Sequence, residues 1–229
     1  MANIQFPANN SGHRKRLRDR FLHGGGRALQ KYEKLELLLT YCIPRRDVKP
    51  LAKTLLNHFG SIQNLMNASL DDLTEIPGIS ENSSGLIMLI RELCSIYLEE
   101  ELLSLPCIKD TVQVVNFARM KIGGASKESF MLIFLNSSQK ILHYECCPEG
   151  TVNHTHVYMR ELISMCIKYN AISLIIVHNH PSGLCVPSND DLRFNVEVKK
   201  ALTTVDIKFL DHIIVSGANF HSMAAHKEL

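Results

Sequence analysis

An apolar run that ends in a pair of histidines most constrains what this chain can fold into. Residues 172–177 read Ile-Ser-Leu-Ile-Ile-Val and are followed at once by His178-Asn179-His180. A turn with Pro181, Gly183 and Pro187 comes next, and then Ser188 and Asp191. A short β-branched run bounded by turn residues predicts a buried strand. Side chains two apart on a strand share a face, so His178 and His180 can aim two imidazoles at one point. The loop returns the chain so that Asp191, near the start of a helical pattern, can supply a third group. Two histidines and one carboxylate suit a catalytic zinc, because three protein ligands leave a fourth position for water. The plainer alternative is a polar pair capping a strand.

Composition sets wide bounds. The chain has 229 residues, 45% hydrophobic and 21% charged, which allows one or two globular domains. The opening MANIQFPANNSGHRKR lacks the apolar segment of a secretory signal. The longest apolar run, AISLIIV, is too short to cross a bilayer, so no membrane association is expected. Seven cysteines (42, 94, 107, 146, 147, 166, 185) are scattered, odd in number and form no C-x-x-C. They predict reduced thiols in a cytoplasmic protein. A net charge of +2 makes no global case for nucleic-acid binding.

The first half, residues 11–103, reads as a helical domain with divided charge. Residues 11–53 carry twelve Lys/Arg against four Asp/Glu, whereas residues 67–101 carry one Arg against eight acids. The basic stretch could meet phosphate, RNA or an acidic partner, or could be a solvated helix face paired with the acidic segment. Leu35, Leu38, Leu39 and Cys42 lie at helical spacing ahead of Pro44. Pro50 falls in a first helical turn and Gly60 ends that helix. Ser61 and Ser69 are expected caps, with Asp72 three residues beyond Ser69. LTEIPGISENSSGLIMLIREL resembles a helix-hairpin-helix, with Ser80 in place of the second turn glycine. No Lys or Arg lies between Lys53 and Arg91. A phosphate contact is mainly electrostatic, so this hairpin is expected to be structural or protein-binding. Pro106 breaks the pattern, and the boundary is placed near Ser104.

The second half, residues 105–229, alternates strands and helices, which predicts an α/β sheet covered by helices. A helix is expected over 112–121, then the strand SFMLIFLN and its hairpin partner KILHYECC. A helix ending at Asn170 precedes the motif strand. Another helix follows from Asn189, and a final hairpin turns at Gly217. Activating a water also needs a base that is not a ligand. Glu145, alone among apolar neighbours on KILHYECC, is the expected base; its alternative is a strand-end surface residue. Ser188 could donate to an oxyanion, cap the following helix, or do both.

These residues carry a family resemblance. H-x-H, ten residues and then Asp, with Ser three before the Asp and an upstream Glu, resembles the JAMM motif of MPN-fold metalloproteases. HNHPSG with PS after it, EGTVN at 149–153 and LDHIIV at 210–215 resemble the bacterial RadC-like proteins, the UPF0758 family. GHRKRLRDRF, IPRRDVKPLAK and the IPGI hairpin extend the match over most of the chain. The resemblance implies a three-layer α/β MPN domain, related to cytidine deaminases, behind an all-helical domain. It implies one zinc per chain on His178, His180 and Asp191, with Glu145 as the catalytic Glu and Ser188 as the motif Ser. Relatives often carry N-S-x-x-V-H-P-R-E where this chain has residues 153–161, NHTHVYMRE. That leaves His154 and His156 as extra imidazoles. Asp190 is a rival ligand to Asp191, and His212 is expected to be buried, hydrogen-bonded and in support of a ligand. A deaminase is excluded by the absence of H-x-E and P-C-x-x-C.

The function implied is a zinc-dependent hydrolase that cleaves an amide or isopeptide, with a peptide or protein substrate. The alternative is a DNA-associated protein of the RadC type, acting in repair or recombination through the basic N-terminal stretch. A non-enzymatic scaffold is disfavoured by the intact ligand set.

Overall fold

The computed structural model describes residues 11–147 and 155–229. By their contacts these divide into two compact units between Ile90 and Arg91, inside one long helix. The sequence expectation placed the boundary after that helix, near Ser104, because a change in composition is easier to see than a change of packing partner along a continuous helix.

The first unit is helical. It contains α1 (Ser11–Gly24), a 3-10 turn, α2 (Lys31–Cys42), α3 (Lys49–Phe59), α4 (Ile62–Asn67), α5 (Leu70–Thr74) and the start of α6 (Glu81–Ser104). Local chemistry sets the ends. Pro50 sits in the first turn of α3, and Gly60 closes that helix at φ +72°, a conformation that favours glycine. Ser61 caps α4, and Ser69 with Asp72 forms a reciprocal capping box on α5. Leu35, Leu39, Leu51, Leu55, Leu65, Leu73 and Ile87 form the core.

The basic stretch is not merely a solvated face. Leu17 packs with Leu29 and Leu37. Arg14 donates to the carbonyls of Thr40 and Ile43, at 3.4 and 2.9 Å, and to that of Arg46. Thr40 lies in the last turn of α2, and Ile43 and Arg46 lie beyond its end, where intrahelical donors run out. Arg14→Ala is therefore expected to cost about 1.5–3 kcal/mol, the range for charge-assisted hydrogen bonds. Replacing exposed Lys15 should stay within about 0.5 kcal/mol. Urea midpoints measure both; equal midpoints would remove Arg14 from this role.

The second unit holds the rest of α6, α7 (Thr111–Ile122), β1 (Phe130–Leu135), β2 (Ile141–Cys147), α8 (Thr155–Lys168), β3 (Ser173–Asn179), α9 (Asn189–Thr203), β4 (Lys208–Ser216) and β5 (Asn219–Ser222). The strands form one mixed sheet in the order β2-β1-β3-β4-β5. Only β3 and β4 run parallel, joined through α9; the other neighbours are antiparallel. Strand alternation feeds two cores. Met131, Ile133, Leu135, Ile175 and Val177 meet Val114, Phe117 and Ala118 of α7 on one face. Phe130, Leu132, Phe134, Leu174 and Ile176 meet Leu162 and Cys166 of α8 and Val198 and Leu202 of α9 on the other. The result is the three-layer α/β architecture expected from the sequence. Asn170 adopts φ +52°, as expected of a helix stop, and Gly217 turns the final hairpin at φ +51°.

One irregularity positions the site. The β3–β4 register shifts between Leu174 and Ile175, and Leu210 is passed over. A one-residue slip exchanges faces for every side chain beyond it. His212 is thereby paired with Ile176, on the face that also carries His178.

Candidate metal centre

The end of β3 delivers the two histidines. His178 is the penultimate strand residue and is fully buried. His180 is held just beyond it, its N–H donating to the Val215 carbonyl and its own carbonyl accepting from Ser216 Oγ at 2.7 Å. Gly183, at φ +88°, closes the turn that brings the Leu184 carbonyl back to His180 Nδ1 at 2.9 Å. Asp191 lies in the first turn of α9. Its Oδ2 accepts from the Ser188 N–H and hydroxyl, both at 2.7 Å.

These supports converge the three expected ligands. His178 Nε2 and His180 Nε2 are 2.9 Å apart. Asp191 Oδ1 is 3.4 Å from the first, and its Oδ2 is 3.6 Å from the second. His178, His180 and Asp191 are the single cluster among the described residues with potential ligand atoms all within 4.8 Å. The donor set fits a zinc ion. The Leu184 carbonyl can only accept, so His180 Nδ1 carries the proton and its Nε2 lone pair faces the cluster. Converging lone pairs and a carboxylate form a donor set that a cation would satisfy. Asp190, the rival ligand, instead pairs with Arg193 and is 83% exposed.

Burial pushes both His178 and His212 well below the ordinary imidazole value; for His178 the Asp191 carboxylate opposes this and charge on His180 adds to it, and for His212 charge on His178 and His180 adds to it. Both rings are thus held neutral, as ligation requires. His178 Nδ1 lies 2.8 Å from His212 Nε2, and His212 Nδ1 lies 2.6 Å from Asn195 Oδ1. The expected supporting role of His212 has a direct geometric basis. Asn195, on α9, was not anticipated; nothing in its local sequence marks it. His154 and the side chain of His156 lie outside the described residues.

Glu145 is not at the centre. It pairs with Leu132, two residues along from Phe130, the residue that pairs with His178. Two strand spacings and two residues of rise put its Cα about 12 Å from that of His178. Its carboxylate instead meets His143, at 3.4 Å, and 45% of the side chain is exposed. The carboxylate beside the cluster belongs to Glu128, whose Oε1 is 4.0 Å from His180 Nε2 with the side chain 59% exposed. Glu128 lies just before β1, on a segment tied down by Asn179. The Asn179 Oδ1 accepts from the Ser129 N–H at 2.7 Å, and its Nδ2 donates to the carbonyls of Ala125 and Lys127, both at 3.2 Å. Ser188 is the N-cap of α9, in a capping box with Asp191.

Comparison with known proteins agrees with the fold. A model described as RadC-like JAB domain matches residues 108–229, and one described as UPF0758 N-terminal matches residues 9–84. A UPF0758 protein of Fusobacterium nucleatum is 40% identical over 221 residues, covering 93% of this chain and 95% of the relative. One from a Janthinobacterium species is 34% identical, covering 93% of this chain and 96% of the relative. A third, from Paraburkholderia phytofirmans, is 33% identical, with 90% and 80% covered. The chain therefore belongs to the UPF0758 family, and residues 108–229 form its RadC-like JAB domain.

Proposed function

We propose that this protein is a zinc-dependent hydrolase that cleaves an amide bond, peptide or isopeptide, in a peptide or protein substrate. The observation that carries the reading is the convergence of two Nε2 atoms and the Asp191 carboxylate beside the exposed Glu128 carboxylate. One zinc per chain, held by His178, His180 and Asp191, would polarise the scissile carbonyl and acidify the attacking water. Glu128 takes the proton from that water and returns it to the leaving amine, replacing Glu145 in this role. Ser188 fixes the orientation of Asp191, because its one hydroxyl proton is given to Oδ2; donation to a developing oxyanion would require that bond to break first. Asn179 holds Glu128 in place. The free state of all seven cysteines suits a reducing cytoplasm, and no helix among the described residues is long and apolar enough to cross a membrane.

The test is turnover of a quenched-fluorescent peptide and isopeptide library by protein stripped with a chelator and reloaded with zinc. Activity returning only with the metal supports the reading; no cleavage of any amide by fully loaded protein counts against it. Asn179→Ala should lower such turnover about 10- to 100-fold while the zinc content stays at one per chain, as for loss of a supporting partner. Equal turnover would remove Asn179 from the positioning of Glu128.

A second reading, nucleic-acid association, is favoured by one place in the helical unit. The Lys49 and Lys53 ammonium groups lie 5.8 and 5.1 Å from the Tyr32 ring centroid. A cavity of about 460 Å³ beside them is lined by Lys31, Lys53, Gln30 and Asn57. Lys15, Arg16 and Arg18 of the same unit are exposed, whereas Arg14 belongs to the fold. Charge reversal at Lys31 and Lys53 should flatten the salt dependence of any DNA affinity. An unchanged slope would set this reading aside.

A further inference from the structure

His178 has two ring nitrogens, and only one arrangement of its proton leaves Nε2 free to bind a metal. What sets that arrangement is a buried run of hydrogen bonds that reaches well away from the cluster. It starts at Asn195, which is fully buried. The Asn195 Nδ2 faces the Met223 thioether at 2.6 Å and the Glu228 main-chain carbonyl at 3.4 Å. Both of those groups only accept, so the amide must present N–H there and its oxygen to His212.

The remaining links follow by elimination. The Asn195 oxygen only accepts, so His212 Nδ1, 2.6 Å away, carries the proton. A neutral imidazole has one N–H and one lone pair. His212 Nε2 is then an acceptor, and His178 Nδ1, 2.8 Å away, must donate to it. That leaves His178 Nε2 as a lone pair aimed at His180 and Asp191. Reversing the run would set the Asn195 and Glu228 oxygens face to face in a buried place, at the cost of unsatisfied polar groups. Nor can the rings turn over freely. Phe130 stacks on His178 with centroids 5.1 Å apart, and Phe194 meets His212 edge-on at 5.8 Å. The far end is also pinned: the Glu228 N–H donates to the Met223 carbonyl at 2.9 Å, and its carboxylate meets His221 at 2.7 Å.

We propose that Asn195 and His212 are positioning residues that fix the tautomer of His178, so that the segment from Met223 to Glu228 sets the direction of the ligand's lone pair. This rests on the metal reading above. The tautomer is a property of the metal-free chain, so it can be measured separately from zinc uptake and from turnover.

Long-range proton–nitrogen spectra of histidine-labelled, metal-free protein at neutral pH should show Nδ1–H on both His178 and His212. Chelator competition should show zinc bound about 10- to 100-fold more weakly by Asn195→Leu, as for loss of an outer partner of a ligand. Asn195→Asp keeps an acceptor facing His212 but sets an oxygen against the Glu228 carbonyl, so it should retain the Nδ1–H signature and bind zinc more tightly than Asn195→Leu, at a cost in stability. A structural role alone would weaken folding in both variants without this split. Nε2–H on His212 in a wild-type chain that takes up zinc would overturn the device alone. So would an Asn195→Leu variant with unchanged tautomers and zinc affinity. A wild-type chain that takes up no zinc overturns the metal reading itself, whatever the tautomers.

Discussion

His178→Ala and Asp191→Ala should each reduce zinc content from about one ion per chain to near zero after dialysis. Structural zinc sites bind with about 10–16 kcal/mol in apparent free energy, so each of a few ligands carries several kcal/mol and its removal costs about 10²- to 10³-fold or more. The two substitutions reach the same end by different routes. Asp191 is 14% exposed, and its loss removes charge together with one half of the α9 capping box. Asp191→Asn keeps the shape and part of the cap, and so isolates the charge. His178 is buried, and its loss also leaves His212 Nε2 without a donor, at about 1–3 kcal/mol. Stability supplies a second readout. A ligand at 100 to 1,000 times its Kd stabilises the native state by about 2.7–4.1 kcal/mol. Wild-type protein should therefore melt higher with added zinc, and neither alanine variant should respond. Full zinc occupancy in both variants would sink the ligand assignment.

The centre was legible where the chemistry is local. H-x-H at the end of a β-branched run puts two imidazoles on one face by strand periodicity, and Ser188 three before Asp191 announces a helix start that carries the carboxylate. The caps at Ser61 and Ser69 and the stop at Asn170 were readable for the same reason: each depends on residues within a turn of itself. The supporting groups were not legible, because they depend on pairing between distant segments. His212 reaches the face of His178 only through the register shift that passes over Leu210, and strand alternation by itself cannot announce an irregularity. Asn195 matters through a contact with His212 seventeen residues on, and Asn179 through contacts about fifty residues back. The sequence places no cation close to the hairpin at Pro77-Gly78. Sequence distance misled there too, since the Arg46 guanidinium lies against Gly78, where an added Cβ would come within 2.9 Å of it.

The base is where sequence and structure disagree most, and where one pair of variants decides. An isolated acid on a strand facing the ligand side looks like a base, and Glu145 meets that description. The sheet nevertheless separates it from His178 by an intervening strand and by two residues of register, about 12 Å between Cα atoms. A carboxylate side chain does not span that gap, and Glu145 has its own partner in His143. Glu128 stands in an exposed segment with no secondary-structure signal, yet its carboxylate lies 4.0 Å from His180 Nε2. A base must reach the water it deprotonates, directly or through one more water, so geometry ranks Glu128 first. Glu128→Gln should keep one zinc per chain and lose about 10²- to 10⁴-fold in kcat, the span for general acid–base catalysis. Glu145→Gln should keep zinc and stay within a few-fold of the wild type. The reverse pattern, an inactive Glu145→Gln beside an active Glu128→Gln, would restore the base read from the sequence and require the β2 edge to move toward the cluster during turnover. If Glu128 is the base, Glu128→Gln also holds its substrate without consuming it. Peptides retained by that variant and released on chelation would then identify the bond that the wild type cuts.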